Sequence, residues 1–115
     1  MKLPHPSTDQ ISLTNVLAAL GDPTRLAIVR TLATAGVPMN CGTFAELGSK
    51  TNISYHLAKL RESGVTLTEV SGTSRKVSLR LEELGRLFPG LMESVIGTEE
   101  TASQHETRQS IAADR

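Results

Sequence analysis

The sequence predicts a mainly α-helical domain carrying one small β-hairpin, and three observations support this. Apolar residues recur at helical spacing in several stretches bounded by capping residues or glycine. The period switches once, to alternation, between Val65 and Leu81. The chain has 115 residues, 38% hydrophobic and 21% charged, enough for one small core of ordinary composition. Only 3% are aromatic, which leaves the core to Leu, Val, Ile and Ala and argues against a large aromatic-lined pocket.

Residues 1–11 form a polar, proline-containing arm expected to be flexible. In "SLTNVLAAL", Ser12 caps a helix with Leu13, Val16, Leu17 and Leu20 at helical spacing, and Gly21 stops it. Asp22 caps a second helix, Pro23 suits its first position, and Gly36 ends it; Leu26, Ile28, Val29 and Leu32 supply its buried side. "VPMNCG" is expected as a loop, and "TFAELG" as a short helical turn. Ser49 then caps a longer helix over about 49–63, in which Ile53, Leu57 and Leu60 make an apolar stripe and Gly64 the stop. "VTLTEV" and "RKVSLRL" alternate, with Val65, Leu67 and Glu69 on one face, and the turn between them lies near Ser71 to Ser74. The last region, Leu81 to Ile96, is helical with a break at Pro89 and Gly90. Residues 12–96 thus form the domain, and 97–115 read as a disordered tail.

Net charge is zero, but its distribution is uneven. Residues 50–80 hold six cations against two acids, a net of +4, whereas residues 81–115 hold three against seven, a net of −4. Charges separated by more than about 8–10 Å are largely screened at physiological salt, so the local field decides where a polyanion docks. The basic segment coincides with the order short helical turn, tight link, helix, basic hairpin, which describes a winged helix-turn-helix. Its longer helix leaves Lys50, Thr51, Asn52, Ser54, Tyr55 and Lys59 outward, where a major groove accepts hydroxyl, amide and amine groups. His56, at the stripe's edge, is either a packed ring or a further base contact. Arg75 and Lys76 at the wing, about 65–81, suit an adjacent minor groove or phosphates.

"ALGDPTRLAIVRTLA", "ISYHLAKLRESGV" and "SGTSRKVSL" together resemble the ArsR/SmtB type of winged helix-turn-helix regulator over roughly Leu13 to Ile96. The resemblance implies a homodimer through the first and last helices, a recognition helix in the major groove, and repression relieved by a signal. It puts the DNA-facing positions on Lys50, Thr51, Ser54, Tyr55 and Arg75. Apolar residues in excess of what one thin sheet covers favour a dimer core built from Leu13, Val16, Leu17, Leu84, Leu87, Phe88, Leu91 and Val95. Two-fold symmetry then requires double-stranded DNA with an inverted-repeat operator.

Metal-sensing members often carry paired cysteines before the recognition helix, or His and carboxylate ligands on the last helix. Here "MNCGTFAEL" has only Cys41, and Leu81 to Ile96 has neither His nor Cys, so no metal or other cofactor is expected. Cys41 is a small packed side chain or a redox sensor. The inducing signal is left open between an unknown small-molecule effector, Cys41 oxidation and none. No nucleophile–base pair, phosphate loop or carboxylate pair marks an enzyme. The rival is a winged-helix module meeting another protein on the same face. Neither a signal peptide nor a membrane-spanning run is evident, which points to the cytoplasm.

Overall fold

The computed structural model describes residues 3–100. Helices α2 (Pro23–Ala35) and α3 (Lys50–Ser63) pack against a three-stranded antiparallel sheet, α1 (Leu13–Leu20) packs on α2 and α3, and α4 (Leu81–Leu87) and α5 (Leu91–Glu100) close the domain. Each of the first three helices begins at a side-chain cap. Ser12 accepts from Asn15 N, Asp22 from Thr24 N and Arg25 N, and Ser49 from Asn52 N, satisfying donors that the first helical turn leaves without partners.

The core contains Val16, Ile28, Val29, Phe44, Leu60, Val65, Val77 and Leu84, all essentially without solvent contact. Ile53 and Leu57 join Leu60 in it, so the stripe predicted on α3 is its buried side. Gly64 ends α3 at φ 90°, and its N–H caps the last turn. A Cβ there would lie 2.5 Å from Ile11, so only glycine both adopts this backbone and admits the neighbour.

The sheet order is β1 (Met39–Asn40), β3 (Ser74–Leu79), β2 (Thr66–Ser71). β2 and β3 form the wing, with Thr68 opposite Val77 and Glu69 opposite Lys76, and Gly72 at φ 59° in its two-residue turn. The stretch expected as a loop supplies β1, Met39 pairing with Val77; two residues are too few to show alternation. The short helical turn is a 3-10 helix and starts earlier, at Cys41. The buried face of β2 carries Thr66 and Thr68, whereas Leu67 is half-buried and Glu69 exposed. Register with Val77 and Leu79 decides this, overriding the greater hydrophobicity of Leu67.

The N-terminal arm, expected from the sequence to be flexible, makes contacts with the domain over its described residues. Thr68 N donates to His5 Nε2 at 2.9 Å along the free edge of β2, Arg80 Nη1 donates to Pro6 O at 2.9 Å, and Ile11 is buried beneath Gly64. The break at Pro89 and Gly90 falls between α4 and α5 as predicted. Helix α5 continues through Gly97 to Glu100, beyond the expected start of the tail; positions 101–115 lie outside the described residues.

Arg80 is buried and grips Glu83 with two hydrogen bonds of 3.0 and 2.6 Å. These bonds hold the Glu83 carboxyl below its ordinary range. A carboxyl whose pKa is lowered on folding contributes stability above its unfolded pKa and loses it as pH falls through the folded value. Glu83→Gln is therefore expected to cost about 1 kcal/mol at neutral pH, given the partial exposure of Glu83, and nothing once the wild-type carboxyl is protonated. Thermal unfolding of both proteins from neutral to acidic pH checks this; a gap independent of pH contradicts it.

Candidate nucleic-acid interface

The polar face of α3 is built by register. With Ile53, Leu57 and Leu60 turned inward, Lys50, Thr51, Asn52, Ser54, Tyr55 and Lys59 are all solvent-exposed. Tyr55 is 54% exposed, and the Lys59 ammonium lies 5.4 Å from its ring centroid, which orders both side chains on one surface. The 3-10 helix Cys41–Leu47 braces α3 from below through buried Phe44, completing the helix-turn-helix with Gly48 and Ser49 as its link.

His56 does not share this face. It is buried, Arg25 Nη1 donates to its Nδ1 at 3.0 Å, and Asp22 Oδ1 lies 3.9 Å away. The candidate base contact is corrected to a packing residue, because its position on the helix turns it toward α2. An arginine only donates, so Nδ1 is the accepting nitrogen in this contact. Arg25 Nε also donates to Ala19 O at 2.7 Å, tying α1, α2 and α3 together. Asp22 is held below its ordinary pKa, chiefly by the Arg25 backbone N–H. Arg25 was not legible as a site residue, since its partners lie 6 and 31 positions away.

In the wing, Arg75 and Lys76 are both exposed but leave opposite faces of β3. Arg75 shares the face of Val77, toward α3, and lines one cleft with Lys50, Ser54 and Arg61. Lys76 projects from the other face, opposite Glu69. Cys41, half-buried, lies in the same cleft; burial pushes its thiol pKa up, and the charges of Arg75 and Arg61 act the other way. Among the described residues, no three or more His, Cys, Asp and Glu side chains converge on a metal position. No helix there is long and apolar enough to cross a membrane.

The candidate dimer surface separates into two sets. Leu13 and Leu17 are 45% and 48% exposed on one side of α1, and Leu87, Phe88, Leu91 and Val95 are half-buried. Val16 and Leu84, expected in the same set, have no exposure and belong to the protomer's own core, so they are corrected to core residues. Their helices have apolar residues on two sides, and spacing alone does not say which side the protomer covers.

A helix-turn-helix domain model matches residues 20–70, from the end of α1 through most of β2. The chain is 40% identical over 94 residues to the uncharacterized HTH-type transcriptional regulator YceK of Bacillus subtilis (strain 168), spanning 77% of this chain and 90% of that protein. The chain belongs to the helix-turn-helix transcriptional regulators. This regulator also superimposes on the crystal structure of an ArsR family transcriptional regulator with a TM-score of 0.57 at 22% identity, covering 93% of this chain and 98% of that one. The fold is thus the winged helix-turn-helix anticipated from the sequence, and the protein is a DNA-binding transcriptional regulator.

Proposed function

We propose that the protein acts in the cytoplasm as a homodimeric repressor, placing α3 of each protomer in successive major grooves of an inverted-repeat operator. The observation that carries this reading is the division of α3 into a buried apolar stripe and an exposed face of Lys50, Thr51, Asn52, Ser54, Tyr55 and Lys59. Hydroxyl and amide groups on that face suit base edges, while Lys50, Lys59 and the wing residues Arg75 and Lys76 suit phosphates. Major grooves one helical turn apart are separated by about 34 Å, so the half-sites recur at that spacing. An enzymatic activity plays no part in the proposal.

Leu13 and Leu17 on α1, with the partly exposed apolar side chains of α4 and α5, supply the surface for the second copy. In a two-fold interface each residue counts twice. Exchanging Leu17 for Glu is expected to raise the dimer dissociation constant about 100-fold, from the loss of roughly 1.5 kcal/mol of apolar burial per copy. Sedimentation equilibrium reads the change, and an unaltered constant removes α1 from the interface. A titration of the promoter duplex upstream of the protein's own gene, at two salt concentrations with competitor DNA, tests the function. Salt-sensitive binding that resists competitor supports it, and no binding at low salt favours the protein-interaction module.

A further inference from the structure

Between α3, the 3-10 helix and the wing lies a cleft of 830 Å³. Its lining includes three cations, Lys50, Arg61 and Arg75, and no acid. Its walls are also apolar: Ile53 and Leu57 line it where the α3 stripe approaches the surface.

We infer that this cleft binds a small organic carboxylate, its anionic head held by Arg61 and Arg75 and its apolar body against Ile53 and Leu57. Cations alone would suit a DNA phosphate equally. The apolar walls favour an organic anion, and the volume is that of an ordinary small-molecule site. Lys50, Ser54 and Arg75 belong to both the cleft and the proposed DNA face. An occupant therefore displaces the duplex directly, by occupying and neutralising groups the duplex uses. This consequence rests on the DNA reading above; the binding site does not.

The sole cysteine of the chain, Cys41, lines the same cleft and serves as its reporter. Its thiolate is alkylated by anionic iodoacetate or neutral iodoacetamide, forming an S–C bond with loss of iodide. The ratio of the two rates cancels the thiolate fraction and measures the cleft's preference for a carboxylate. The ratio is expected to fall about tenfold in the Arg61→Gln/Arg75→Gln double variant. Benzoate is expected to slow iodoacetamide alkylation of the wild type, and benzamide is not. A ratio unchanged in the double variant, or equal effects of benzoate and benzamide on the wild type, overturns the inference. Should the double variant not fold, the single Arg75→Gln variant, changed at an exposed position, replaces it, and an unchanged ratio there overturns the inference. No duplex enters the assay, so its outcome is separate from that of the DNA proposal.

Discussion

Exchanging Gly64 for alanine is expected to destabilise the domain by about 2–5 kcal/mol, from two effects at one position. The residue sits at φ 90°, a left-handed backbone that costs a residue with a side chain roughly 1–2 kcal/mol. Its new Cβ would also lie 2.5 and 2.6 Å from two carbons of Ile11, itself buried, and overpacking of this kind adds about 1–3 kcal/mol. Denaturant unfolding of Gly64→Ala measures the sum, and the companion Gly64→Ala/Ile11→Ala separates the terms by removing the close neighbour. The double variant is expected to recover part of the close-contact cost while losing the packing of Ile11. A Gly64→Ala domain as stable as wild type contradicts the described end of α3 and with it the docking of the arm.

The second large effect concerns DNA. Lys50 opens α3 and Arg75 stands near the tip of the wing, both exposed and both on the cleft between those elements. Replacing both by alanine in a dimer removes four phosphate-facing cations. Each phosphate contact contributes about 0.9 to the slope of log affinity against log salt, so the slope is expected to become shallower by roughly 3–4. Affinity at physiological salt is expected to fall by roughly 100-fold or more, alike for cognate and unrelated duplexes, because phosphate contacts carry no sequence information. Anisotropy titrations across a salt series provide both quantities. An unchanged slope denies the two residues their role.

The helices were legible because their punctuation is local. Ser12, Asp22 and Ser49 cap within three residues, and Gly36 and Gly64 stop the helices they follow, so each boundary is decided by neighbours in the chain. The outward face of α3 was legible for the same reason: three inward residues fix where the others point. What escaped the sequence depends on distant partners. His56 lies on the buried side of α3 by its position, and the partner that receives it there, Arg25, is 31 positions away. Thr66 and Thr68 are buried because β3 sets the register, and the arm meets the domain where the edge of β2 and Arg80 offer it hydrogen bonds across more than 60 residues. Val16 and Leu84 show the same limit, since amphipathic spacing identifies an apolar side without identifying what covers it. Likewise, the sequence placed Arg75 and Lys76 together, and only the pleat separates them onto two faces of the wing.

Methylation protection of the duplex upstream of the gene tests the account most directly, because dimethyl sulfate reports guanine N7, an atom of the major groove. With the protein bound, protection is expected in two patches centred one helical turn, about 34 Å, apart. Bound DNA whose guanines remain uniformly reactive would contradict the placement of α3 in the major groove.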